Sequence, residues 1–139
     1  PYTTLFRSAG LSMGGFGALR LAGRHPQRFA AAAGLSSITD VAQLDALGID
    51  DRACWAAEPQ DRSVLASLST AATLPPLHLS CGRDDALLEA NRALHSALRE
   101  HGIAHAYAEH DGTHGWDYWS RHLEDTLRFF ALQLDGVHR

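Results

Sequence analysis

The sequence contains no lysine: all twelve of its basic side chains are arginine. That absence removes chemistry that needs an amine, including a cofactor Schiff base, a P-loop lysine and a Ser-Lys dyad. Sixteen acidic residues outnumber the twelve arginines and leave a formal charge of -4. No basic face is available to recruit a phosphate backbone, so a nucleic-acid partner is not expected. Cysteine is scarce as well. Cys54 and Cys81 have neither metal-site spacing nor the density of a disulfide-stapled secreted module, so reduced thiols in a cytoplasmic protein are expected. The longest apolar run, Phe29 to Leu35, is interrupted by Gly34. It falls far short of the roughly 20 residues of a membrane helix, and no membrane partner is expected.

What is present is globular in character: 139 residues, 45% hydrophobic and 20% charged, enough for one domain and too few for two. The only methionine, Met13, lies inside a motif rather than at the start. Residues 1–8, PYTTLFRS, resemble the in-frame translation of a sequencing-library adapter and are expected to be foreign to the natural chain. A genuine strand over Tyr2 to Phe6 is the alternative.

Hydrophobic periods alternate along the chain. Gly10 to Gly17 reads as a glycine-rich turn leading into a helix over Ala18 to Gly23, which His25-Pro26 ends. Phe29 to Leu35 reads as a strand covered on both faces, and Ser36 to Thr73 as an insertion above the sheet, with weak helices around Val41 to Leu47 and Ser63 to Leu68. Leu77 to Cys81 is a further buried strand that stops at Gly82. Leu87, Leu94 and Leu98 recur at helical spacing toward a stop near Gly102, and Ile103 to Glu109 is another strand candidate. Trp116, Trp119, Leu123, Leu127, Phe130 and Leu134 form a stripe that the last helix is expected to bury. Alternating strand and helix predict an α/β fold with a mainly parallel sheet flanked by helices.

Three stretches carry chemistry. Gly10-Leu11-Ser12-Met13-Gly14 matches G-x-S-x-G, the tight turn that lifts a serine hydroxyl above a sheet. A side chain at Gly10 or Gly14 is expected to collide with its neighbours, and Gly15 and Gly17 are expected to let the next helix approach the sheet. A serine hydroxyl needs a base within hydrogen-bond reach, and the base needs an acid. Gly82-Arg83-Asp84-Asp85 follows a strand, where a carboxylate sits at the carboxyl edge of the sheet. Asp85 is the expected acid and Asp84 its rival, with helix capping as the competing role for either. His110 to Trp116 forms the next loop, in which His114 is the expected base and His110 the alternative. A metal held by His110 and His114 would lack a third ligand beyond Asp111, so a metal is not expected there. Trp55, Trp116 and Trp119 are expected in the core before any acyl pocket.

Gly10 to Ala18 (GLSMGGFGA), Cys81 to Asp85 (CGRDD) with Asn91-Arg92-Ala93-Leu94, and Gly112 to Trp119 (GTHGWDYW) together resemble the esterase D branch of the α/β-hydrolases. The likeness is strongest to its tributyrin-esterase-like and S-formylglutathione-hydrolase-like members, and it extends from Ala9 to about Leu134. It implies Ser12 as nucleophile, Asp85 as acid, His114 as base and the Met13 backbone N–H as one oxyanion donor. The implied substrate is a small ester or thioester, cleaved through an acyl-enzyme that needs neither metal nor organic cofactor. Gly115 departs from the pattern, since such enzymes often carry an acidic or amide residue there. The fold's second oxyanion N–H comes from a loop after an early strand, upstream of Gly10 here. Residues 9–139 are therefore expected to be the C-terminal portion of a single domain. The isolated chain is expected to turn over poorly, because one missing donor costs about 100- to 1,000-fold. A prolyl-oligopeptidase-type peptidase, an acyltransferase and a non-catalytic interaction domain are alternatives on the same scaffold, and self-association stays open.

Overall fold

The computed structural model of the chain describes residues 5–45 and 58–135. Its strands are β1 (Phe6–Leu11), β2 (Phe29–Leu35), β3 (Leu77–Gly82) and β4 (Ala106–His110), side by side in the order β1-β2-β3-β4 and all parallel. Parallel neighbours need crossovers. These are supplied by α1 (Met13–Arg24), by the short α2 (Ala42–Asp45) with α3 (Val64–Ser69), and by α4 (Leu88–Glu100); α5 (Trp116–Asp135) follows the last strand. All four carboxyl ends therefore lie along one edge of the sheet. β1 begins at Phe6, so Phe6, Arg7 and Ser8 of the adapter-like segment sit in the sheet, in register with Phe29, Ala31 and Ala32.

Strand alternation divides the side chains between two layers. Ala32, Leu77 and Leu79 face α1, α3 and α4, where they pack with Phe16, Leu19, Leu68, Leu94 and Leu98 into the core. Residues 36–73 thus contribute more than an insertion above the sheet, since Ile38, Val64 and Leu68 belong to that core. The second half of the helix expected over Val41 to Leu47, together with Cys54 and Trp55, lies outside the described residues.

On the opposite face β3 presents His78 and Ser80, and α5 crosses the sheet there, with Phe129 stacked on His78 at 5.2 Å between ring centroids. The face of α5 turned to the sheet carries Tyr118 and Thr126, both buried, with His122 beside them. Three residues of the expected apolar stripe are exposed, Trp116 at 71%, Leu127 at 56% and Leu123 at 45%, while Trp119 and Phe130 are half-buried. These exposed residues lie about a quarter-turn round the helix from the packed face, which carries Tyr118, Thr126 and Phe129. β4 also begins later than expected. Ile103 closes α4, its N–H donating to Leu98 O at 2.8 Å beyond Gly102 at φ +68°, and is therefore unavailable to the sheet. Among the described residues no helix is long and apolar enough to cross a membrane.

Candidate active site

The serine motif forms no extended turn. Ser12 alone reverses the chain, with φ 53° and ψ -115°, and α1 starts at the next residue, so Gly14, Gly15 and Gly17 are helical. A non-glycine residue in this backbone region is strained and persists only where its surroundings hold it. Ser12 N–H donates to Leu35 O at 2.9 Å, and Ser12 O accepts from Gly15, Phe16 and Ile38. Gly10 is sterically obligatory, since a Cβ there would strike the Gly14 backbone and lie 2.6 Å from Gly15 N. Gly15 presses against Ser37. The expected constraints at Gly14 and Gly17 are not found, because a Cβ at either meets nothing within 4 Å. The N–H groups of Met13 and Gly14 donate to nothing among the described residues. They point from a helix N-terminus, where partial positive charge accumulates.

Asp85 follows β3 and stands in position for both roles the sequence left open. Its Oδ1 accepts the Leu87 N–H at 2.8 Å, bracing the approach to α4, while its Oδ2 lies 2.9 Å from His114 Nδ1. Its side chain is fully buried; Asp84 is exposed. Close passage of two backbones makes this pairing possible: Arg83 N–H donates to His110 O at 2.8 Å and Asp84 N–H to Gly112 O at 3.0 Å. Gly82 and Gly112 sit at the crossing, and Gly112 takes φ +143° against the Tyr118 ring.

His114 reaches back across the sheet edge so that Nε2 stands 3.0 Å from Ser12 Oγ, 102 residues earlier in the chain. The rings of His114 and Trp119 meet in a T-shaped contact, 5.0 Å between centroids and 83° between planes. Trp119 therefore borders the site rather than the core, and Trp116 stands exposed beside it. His110 takes no part; its ring stacks on His122 at 4.1 Å. Behind the site, burial and the charge of Asp85 push the Cys81 thiol up to about 12, so it stays protonated.

Asn91 is a contributor that the sequence reading left without a role. Buried on the face of α4 that also carries Leu94 and Leu98, its Nδ2 donates to Ser37 O at 2.9 Å and to Leu87 O at 3.0 Å. One amide thus ties the loop behind Ser12 to the turn that holds Asp85. The signal was present, since the only asparagine of the chain occupies an apolar helical period. A cavity of about 670 Å³ opens at the opposite end of the sheet, between Leu74–Leu77 and His101–Ala106, and is unrelated to these residues.

A parallel sheet with a serine elbow at its carboxyl edge defines an α/β-hydrolase fold. An S-formylglutathione hydrolase from Agrobacterium tumefaciens superposes with a TM-score of 0.72 at 25% identity, over 91% of this chain and 48% of that one. One from Staphylococcus aureus gives 0.74 at 24% identity, over 88% and 49%. An acetyl esterase of Caldicellulosiruptor saccharolyticus is 29% identical over 144 residues, 91% of this chain and 54% of the relative. The family described as "Putative esterase" matches residues 7–130, and the chain belongs to it. It spans about half the length of these relatives.

Proposed function

We propose that the protein is a serine carboxylic-ester hydrolase in which Ser12 is the nucleophile, His114 the general base and Asp85 its orienting acid. The observation that carries this reading is the pair of contacts made by one imidazole, Nε2 to Ser12 Oγ at 3.0 Å and Nδ1 to Asp85 Oδ2 at 2.9 Å. Ser12 Oγ attacks the ester or thioester carbonyl as His114 Nε2 takes its proton. Asp85 holds the tautomer with hydrogen on Nδ1 and stabilises the imidazolium that forms. The unengaged Met13 N–H receives the developing oxyanion, where a fixed donor acts without reorganisation. His114 then protonates the departing alcohol or thiol, and a water activated by the same ring releases the acid. Short acyl groups are the substrate class supported by the acetyl esterase and S-formylglutathione hydrolase relatives.

The test is labelling of the intact chain with a fluorophosphonate, which reports an activated serine without requiring turnover. Labelling is expected in the wild type, absent in Ser12→Ala and strongly slowed in His114→Ala. A folded wild type that stays unlabelled, or a Ser12→Ala variant that labels as well, would overturn the assignment.

A further inference from the structure

A second cluster of chemistry-bearing side chains lies where β4 meets α5. His110 is the last residue of β4, and His122 and Asp125 lie three apart on α5. His110 Nε2 is 3.9 Å from Asp125 Oδ2 and His122 Nδ1 is 3.1 Å from it. One ligand atom from each residue lies within 4.8 Å of the other two. In a tetrahedral zinc site with bonds of about 2.1 Å, ligand atoms stand roughly 3.4 Å apart, between the two separations found here.

We propose that His110, His122 and Asp125 form a binding site for a borderline divalent cation of the zinc type. Two imidazoles and one carboxylate suit zinc, nickel or copper, whereas magnesium and calcium require an oxygen shell. Side-chain exposures of 38% for His110 and 50% for Asp125 give the ion an entry path and leave its remaining position to water. The imidazole planes, now stacked 6° from parallel, must tilt so that both lone pairs converge on the ion. His78, on the same face of the sheet, keeps a buried Nδ1 with no hydrogen-bond partner among the described residues.

The location gives the ion a structural consequence. Residues 111–115 connect His110 to α5 and include His114, so an ion shared by His110 and α5 pins both ends of that loop without touching Ser12. This site is independent of the proposed hydrolase activity.

Zinc chloride titrated calorimetrically into the full chain, after chelator treatment and desalting, tests the proposal. One equivalent is expected to bind in the micromolar range. Asp125→Asn and His110→Gln, both partly exposed and checked for folding by circular dichroism, are each expected to weaken it at least tenfold, since even the residues that merely orient metal ligands are worth about 10- to 100-fold. His105→Ala, which breaks the separate His95 Nδ1···His105 Nε2 contact of 2.7 Å, is expected to leave it unchanged. Cobalt substituted for zinc is expected to show the visible absorption of a low-coordinate site in the wild type and to lose it in both ligand variants. Absence of zinc binding by the folded chain, or binding that survives both ligand substitutions, would overturn the assignment.

Discussion

Gly82→Ala puts the geometry of the site under a direct steric test. The added Cβ would fall on Gly112 O, 2.8 Å from Gly112 C and 3.4 Å from Thr113 O. Relaxed contacts between carbons are about 3.5–4.0 Å, so the two backbones must part by about 1 Å. Asp85 lies three residues beyond position 82 and His114 two beyond position 112, so that separation acts on their 2.9 Å contact. Stretched by about 1 Å, the contact leaves the hydrogen-bond range. A misplacement of this size costs about 100-fold in reactivity, and the overpacking costs about 1–3 kcal/mol of stability. The assay is the second-order rate of fluorophosphonate labelling, measured beside thermal melting, with Gly17→Ala as a substitution into open space that should leave the rate unchanged. A folded Gly82→Ala variant that labels at the wild-type rate would refute the reasoning.

Asp85→Asn should retain the bond from Leu87 N–H and so melt near the wild type, yet lose about 10,000-fold in acylation rate because the imidazole is no longer held in the productive tautomer; a loss under tenfold in the esterase assay would argue against the role. Asn91→Leu leaves the Ser37 carbonyl without its side-chain donor, while Leu87 O keeps the backbone N–H of position 91, and should cost about 1–3 kcal/mol in urea unfolding, with an unchanged midpoint counting against it. Glu109 is held at about 2, against an ordinary 4.5, chiefly by its hydrogen bonds from Arg92. A carboxyl depressed on folding contributes stability above its ordinary pKa and loses it as pH falls toward the folded value. Glu109→Gln should therefore flatten the fall in melting temperature between pH 4.5 and 2, and parallel curves for the two proteins would contradict the coupling.

Sequence reading located elements best where one local pattern decided them. The apolar run Phe29–Leu35 became β2, and the glycine at position 10 became a backbone-to-backbone contact that no side chain can replace. It failed where the partner of a residue lay far away in the chain. Gly14 and Gly15 look alike in the motif, but only Gly15 faces Ser37, 22 residues on. The stripe on α5 had the right period and the wrong phase, since the face that meets β3 carries Tyr118, Thr126 and Phe129, with Phe129 stacked on His78. Ser12, Asp85 and His114 stand out from the glycines and strand ends around them, whereas Met13 enters only through the family resemblance. That His110 would turn instead toward His122 depended on a crossing that local sequence does not encode.

Trapping the acyl-enzyme tests the central claim most directly: the chain is mixed with p-nitrophenyl acetate, quenched in acid, digested and mapped by mass spectrometry. An acetyl group on Ser12, absent from the Ser12→Ala digest and strongly reduced in His114→Ala, is the predicted result. A folded chain whose Ser12 peptide remains unmodified would contradict the account.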